Sequence, residues 1–426
     1  MSAEQVPQGT AVDSPAARKT RSRSRLVGID AARGLALIGL MAIHLFPSEN
    51  EETHEPTLAW TLFSGDSAAL FALLAGVGLA LSSGGARAHR GRQMTADRAG
   101  LVVRAALVGA VGLVVAAILP WDPPAYSILL YYAAFFLLAI PFLHLGPKVL
   151  FGSAAVFGLL APVLMQQLGP VLPESSDYNH TLMTLLTEPV AVASELLLTG
   201  SYPALPYMTY LLVGLGLGRL DLRSTRVQGL IAGAGAGLTV LANLVSALLL
   251  YVAGGYQALL ATEEMTRDTL DEALVYGPDI LPDTSGWWLA IATPHTNTPL
   301  ALAASLGMAL LVLGVFLLLA PKAGRWLKPL AAMGTLTLTI YTVHLIALAP
   351  EVHYEEPALW FVLHLGIAAV FAWFWTRHVG KGPLEGAVHR AVTSVRGAVA
   401  DQTASVTAGA PTGGAADRPG SGPDRH

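Results

Sequence analysis

The sequence contains no cysteine, which excludes disulfides, thiolate nucleophiles and cysteine-ligated metals. Charge is scarce as well. Asp, Glu, Lys and Arg make up 13% of 426 residues, against about a quarter in soluble domains. That is too little to coat a water-soluble domain of this length. No GxxxxGK[ST] loop, no strand–glycine–helix unit and no HExxH pair occurs, so ATP-driven transport and a zincin site have no support. Neither a metal nor a nucleic acid is expected as a partner. Instead, 53% of the residues are hydrophobic and the mean hydropathy is +0.55. The solvent for most of the chain is lipid.

Apolar stretches of roughly 18 to 25 residues, enough to cross about 30 Å of hydrocarbon, fall at 26–46, 66–84, 99–119, 126–144, 148–168, 203–220, 228–254, 300–320, 328–350 and 357–376. Backbone groups in lipid must be satisfied within each segment, which leaves helices. The expected fold is all-α, a polytopic membrane bundle of about 10 transmembrane helices. An eleventh stays open, because 190–198 is short enough to be re-entrant or interfacial. Residues 1–25, with Arg18, Lys19, Arg21, Arg23 and Arg25, form a basic, disordered start. The apolar run that follows is long and ends in no small-residue cleavage site, so it reads as a retained span. The transmembrane domain covers 26–392. Residues 393–426 lack periodicity and read as a disordered tail.

Orientation follows from the basic residues. With the N-terminus in the cytoplasm, the loops 85–98, 145–147, 221–227 and 321–327 and the C-terminal tail lie inside. All Lys and Arg except Arg267 then lie inside or at inner span ends. The opposite loops are acidic, with Glu49, Glu51, Glu52, Glu55, Glu263, Asp268, Asp271 and Glu355 among others. Both termini are therefore expected in the cytoplasm, in a multi-pass protein of the plasma membrane. Trp60, Trp121, Trp287, Trp288 and Trp360 fall near outer boundaries, as an aromatic belt would place them. Gly76, Gly78, Gly214, Gly216 and Gly218 have the spacing of helix-packing glycines.

Ionisable groups within spans are costly and mark candidate sites. Asp30 and Arg33 open the first span on one helix face. They are either an interfacial ion pair or a contact for a charged cofactor arriving from the cytoplasm. His44 closes that span, His54 follows in the loop, and Asp66 opens the second span. A histidine can take a proton from a hydroxyl or amine, and a carboxylate can orient its ring. His295 and Asn297 in PHTNTP, His344 with Tyr341 one turn earlier in LTIYTVHLIAL, and Tyr202 in TGSYPALPY all lie toward the same outer side. They converge on one polar region, either a site for chemistry or a structural hydrogen-bond network.

The run RLVGIDAARGLALIGLMAIHLFP, followed by THEPTLAWTLFSGDSAALFALLAGVGLALS, resembles the heparan-alpha-glucosaminide N-acetyltransferase catalytic domain and its bacterial relatives in the transmembrane acyltransferase superfamily. That family's Asp-x-x-Arg-Gly box is matched by Asp30, Arg33 and Gly34. Its loop histidine and the acidic residue opening the next span are matched by His54 and Asp66. The resemblance implies that His54 is catalytic. Better-known members end the first span with an assisting asparagine, where this chain has His44. Later segments, including LLLTGSYPALPYMTYLLVGLGLGRLDL, PHTNTP, GTLTLTIYTVHL and KGPLE, resemble bacterial relatives of unassigned substrate.

The resemblance implies an acyl-CoA-dependent enzyme of the bacterial inner membrane. It would move an acyl group, typically acetyl from acetyl-CoA as co-substrate, to a hydroxyl or amine at the extracytoplasmic face. His54, Asp66 and His44 are then the catalytic candidates. His295, Asn297, His344, Tyr341 and Tyr202 are the substrate-binding candidates, and Asp30 and Arg33 the cofactor-binding ones. Arg33, Arg87, Arg90, Arg92, Arg98 and Arg104 are placed to meet the CoA phosphates, or simply follow the positive-inside pattern. The partners are the bilayer, acyl-CoA and an acceptor that is a glycan, a lipid or a small metabolite; a homodimer is compatible with the sequence. The alternative is a carrier in which His44, His295 and His344 line a substrate or proton path.

Overall fold

The computed structural model describes residues 26–408 except 264 and 279. The expected disordered start, and the tail beyond Ala408, lie outside the described residues. The helices are α1 (Val27–Leu45), α2 (Leu58–Phe63), α3 (Asp66–Ser82), α4 (Arg92–Ile118), α5 (Leu129–Ala139), α6 (Pro147–Leu168), α7 (Leu182–Thr187) and α8 (Pro189–Ser194), followed by α9 (Ala204–Leu217), α10 (Thr225–Ala247), α11 (Gly255–Leu260), α12 (Arg267–Tyr276), α13 (Pro299–Thr335), α14 (Thr337–Leu348), α15 (Pro357–His378) and α16 (Pro383–Ala408). Among the described residues there is no strand, only a lone bridge between Glu49 and Pro56.

Among the described residues seven helices, α2 and α3 counted as one (Leu58–Ser82), are long and apolar enough to cross a membrane, so the chain is a helical, multi-pass membrane protein. The runs at 126–144, 203–220 and 328–350 yield shorter apolar helices, Leu129–Phe142, Ala204–Leu217 and Thr337–Leu348. The run at 190–198 forms α8 and a π-helical turn, Glu195–Thr199.

The stretch 321–327, expected as a loop, is helical and joins its neighbours into α13. Pro321 and Pro329 lie inside this helix. Phe316 and Leu317 pack on Gly28 of α1, while Leu330 meets Gly34 and Gly334 meets the Asp30 carbonyl. A straight helix would separate residues 316 and 334 by about 27 Å, yet their partners on α1 lie within about 9 Å of one another. The helix therefore bends around the start of α1, where its two prolines each remove a backbone donor.

The core is built where α1, α3, α9 and α13 meet. Ala32 and Leu37 of α1, Leu73, Leu74 and Val77 of α3, and Met208, Leu211 and Leu212 of α9 have no exposed surface. Helices α3 and α9 approach through reciprocal glycines. A side chain at Gly76 would strike the Leu211 carbonyl, and one at Gly214 the Leu73 carbonyl, so small residues here let backbones touch.

The bundle has a basic end and an acid-rich end. At the basic end the buried Arg219 donates to the carbonyls of Ala80 (3.2 Å), Ser83 (3.3 Å) and Gly85 (2.7 Å) around the end of α3 and to that of Leu143 beyond α5, tying these two helix ends together. Asp97 of α4 is held by His89 Nδ1 (2.7 Å) and by Arg396 of α16. Because α16 is tied down in this way, residues 393–408 continue a helix where the disordered tail was expected to begin.

At the acid-rich end, α11, α12 and the turn Gly286–Ala290 close over a second apolar cluster. Trp288 lies wholly inside this cluster, against Leu259, Leu270 and Ile291, and so does not belong to the aromatic belt. Its Nε1–H donates to Thr284 Oγ1 at 3.4 Å.

Candidate functional site

Three groups of side chains bring most of the candidate residues together. The first lines a cavity of about 300 Å³ that begins at the basic end and is walled by α1, α3, α4, α5, α13, α14 and α16. Arg33, Arg104, Glu385 and His389 line one part and Leu40, Ile128 and Tyr341 another. Arg33 donates to Asp30 Oδ1 (3.2 Å) and to the Leu74 carbonyl (3.3 Å). The Asp30–Arg33 pair therefore exists, and its guanidinium also faces the cavity. Glu385 caps the start of α14, accepting from Thr339 N (3.0 Å) and Thr339 Oγ1 (2.6 Å), a favourable place for a carboxylate. The Tyr132 hydroxyl is buried on the cavity wall with no hydrogen-bond partner, a donor available to a ligand.

The second group is a line of three imidazoles. His44 Nδ1 lies 3.2 Å from His344 Nε2, and His344 Nδ1 lies 2.7 Å from His364 Nδ1. The first two rings stack at 5.4 Å and 8°; the second pair meets edge to face at 5.0 Å and 89°. Tyr341, whose hydroxyl accepts from Ile128 N (3.4 Å), sits 6.1 Å from the His44 ring and also lines the cavity. The histidine line thus starts where the cavity ends. His344 is only 2% exposed, so its two histidine partners account for its burial.

The third group lies on the acid-rich loops. His54 sits in a braced hairpin in which Thr57 Oγ1 donates to the Pro47 carbonyl (2.8 Å) and Thr57 N to the Ser48 carbonyl (2.9 Å). Its backbone is left-handed at φ 55°, and Tyr276 donates its hydroxyl to the His54 carbonyl at 3.2 Å. The His54 ring is exposed and has Glu49 as its carboxylate partner, Nδ1 to Oε2 3.7 Å. Asp66, the partner expected from the sequence, is not the group that orients it. Asp66 bonds Ser305 of α13, which also bonds Tyr210 of α9.

His295 reaches the same region from the other side. Its Nε2 accepts from Gly65 N at 3.2 Å, one residue before Asp66. Its ring lies 6.0 Å from Trp60 and 6.3 Å from Tyr202. His295 is exposed at its surface, with protein packed closely around it. This surrounding mass pushes its imidazole down to about 4. Asn297 donates to the His295 carbonyl (3.0 Å), and both residues are left-handed, at φ 53° and φ 64°. Asn297 is thus a brace for the turn. Of the four left-handed non-glycine residues among the described residues, His54, His295 and Asn297 fall in this group, and such conformations persist where surrounding structure enforces them.

The sequence reading missed His364, which lies in an apolar run and meets the criterion that selected His344. It also missed Tyr132, and Tyr276, whose link to His54 crosses more than 200 residues.

A bent helical bundle with a cavity entering from its basic end and a histidine line at the cavity's far wall defines a membrane protein with an internal polar site. Residues 25–253 match the family described as heparan-alpha-glucosaminide N-acetyltransferase, catalytic. The match covers more than half of the chain, which therefore belongs to that family of membrane acetyltransferases. It includes Asp30, Arg33, His44, His54, Asp66 and Tyr202, and stops before His295, Tyr341 and His344. Comparison with curated proteins finds no match.

Proposed function

We propose that this chain transfers an acyl group, acetyl in the first instance, from cytoplasmic acyl-CoA to a hydroxyl or amine at the opposite face of the bacterial inner membrane. The basic end then faces the cytoplasm, as the positive-inside pattern requires. The observation that carries the reading is the cavity between Arg33 and Arg104 at one end and Tyr341, beside His44, at the other. About 300 Å³ is at the low end for small-molecule sites and suits the thin acyl-pantetheine arm; the nucleotide stays outside, near Arg33, Arg104 and His389. The unpartnered Tyr132 hydroxyl fits an amide-bearing arm.

In this reading the thioester arrives beside Tyr341 and His44, and the acceptor approaches past His54 and His295. His54, with Glu49 stabilising its protonated ring, takes the acceptor's proton as the acceptor's electron pair attacks the thioester carbonyl carbon. The C–S bond breaks and the CoA sulfur withdraws into the cavity. Asp66 acts at one remove: through Ser305 it ties α3 to α13, beside the Gly65–His295 hydrogen bond. Tyr202 and Asn297 shape the acceptor side, with Asn297 acting through the His295 backbone. The family match favours this reading over a carrier.

The test is purified protein in nanodiscs with labelled acetyl-CoA and a panel of amino sugars, hydroxylated lipids and small alcohols. Acceptor-dependent CoA release with label in the acceptor is expected. No donor consumption with any acyl-CoA or acceptor would sink the proposal.

A further inference from the structure

The proposed reaction leaves one step without a partner: a thiolate departing beside Leu40 and Ile128, at the apolar end of the cavity, needs a proton. We propose that His44, His344 and His364 form a proton relay that delivers it. The inference rests on the acyl-transfer reading and adds the group that protonates the leaving sulfur.

His344 uses Nε2 toward His44 and Nδ1 toward His364. A neutral imidazole has one N–H and one bare nitrogen. His344 must therefore donate to one neighbour and accept from the other, which gives the line a direction. Reversing that direction moves one proton across each contact and leaves the heavy atoms in place. At the inner end, His44 stands beside Tyr341 at the far end of the cavity. The outer end is His364, which is half-exposed and lies about 10 Å along α15 from its acid-end start. Beside the line, on the loop before α15, His353 is 2% exposed with neither ring nitrogen partnered. It lies within electrostatic reach of all three rings. The rings follow one another in a row, and His344 gives one nitrogen to each neighbour, so three nitrogens do not converge as metal ligands would.

The step balances as follows. The acceptor X–H bond breaks, its proton goes to His54, and X bonds the acyl carbon. The C–S bond breaks with its electron pair on sulfur, and sulfur takes a proton from His44. His44 is reprotonated by His344, His344 by His364, and His364 from the acid end of α15, the side on which His54 releases its proton. CoA leaves as the thiol. The relay thus returns one proton for the one released on the same side.

The test compares acetyl-CoA with its isosteric selenoester, Se-acetyl-seleno-CoA, whose selenolate is weakly basic and leaves without a proton. With His364→Gln in nanodiscs, kcat for acetyl-CoA should fall about 10- to 100-fold, within the range of general acid catalysis. Turnover of the selenoester should stay within about threefold of wild type, which also shows that the variant is folded. Equal slowing of both donors by His364→Gln, or slowing of neither, overturns the relay. A wild type that turns over neither donor overturns acyl transfer itself, a result distinct from failure of the relay.

Discussion

Gly65 donates its backbone N–H to His295 Nε2 at 3.2 Å, and this one bond sets the tautomer of the ring. Nε2 must be bare to accept, so the proton of neutral His295 sits on Nδ1. His295 is therefore committed as an acceptor to the turn that starts α3, and its role is to position that turn. In the unfolded chain it protonates near the ordinary 6.5, whereas in the folded protein it remains neutral down to about 4. The unfolded state thus binds more protons between these values, and stability falls as pH drops through that window. Melting curves in detergent should show a Tm that declines from pH 7 to pH 4.5. His295→Gln, which cannot titrate, should have a lower Tm at pH 7 and a shallower decline. An unchanged slope in the variant would show that other groups set the acid sensitivity.

His54 and Glu49 should separate chemistry from electrostatics. His54→Ala is expected to lower acceptor-dependent transfer by about 10²- to 10⁴-fold, the loss of a general base. Glu49→Gln removes an exposed partner worth no more than about 1 kcal/mol and should cost less than about tenfold. Initial rates of CoA release measure both; full activity in His54→Ala removes the catalytic assignment.

Tyr132→Phe should act in opposite directions on stability and on donor binding. Its hydroxyl is buried without a partner, so deleting it removes a desolvation penalty, and Tm should hold or rise. If the hydroxyl binds the pantetheine arm, KM for acetyl-CoA should rise several-fold with little change in kcat. A Tm gain with unaltered KM would place the donor elsewhere.

Arg33→Ala tests the basic end of the cavity. Loss of a charge-assisted contact worth about 1.5–3 kcal/mol should raise KM for acetyl-CoA about 10- to 100-fold. Dephospho-CoA donors should show a smaller difference between wild type and variant. Steady-state kinetics with both donors decide it.

Two glycine substitutions of identical chemistry should differ in sign. At Gly214 an added methyl meets the Leu73 backbone, and the overpacking should cost about 1–3 kcal/mol. At Gly229 nothing lies within 4 Å, so alanine should be neutral or stabilising by up to about 1 kcal/mol. Thermal melts of Gly214→Ala and Gly229→Ala in the same detergent provide the comparison.

Much of this architecture is legible in the sequence because lipid imposes length and polarity on each segment in isolation. The first span, the Asp30–Arg33 pair and the packing glycines Gly76 and Gly214 all follow from local spacing. Pairings between distant segments do not. Glu49, not Asp66, stands beside His54 because the hairpin 47–57 folds back on itself, and no periodicity encodes that. Ser305 claims Asp66 from a helix more than 200 residues away. The stretch 321–327 looks like a loop because it is polar and contains proline, yet its helix persists by bending. His364 could have been found by asking which other group in an apolar run needs a partner, since His344 posed that question.

The cavity has two walls of different origin. Arg33, Phe71, Arg104 and Tyr132 come from the family-matched part of the chain, and Thr335, Tyr341, Glu385 and His389 come from the part beyond it. A protein cut at residue 253 would keep the signature residues but lose the wall that Thr335, Tyr341, Glu385 and His389 supply to the cavity. If the cavity holds the donor as proposed, the smallest functional unit is larger than the segment by which the family is recognised, and exchanging the second wall between relatives offers a way to retune the site while leaving that signature untouched.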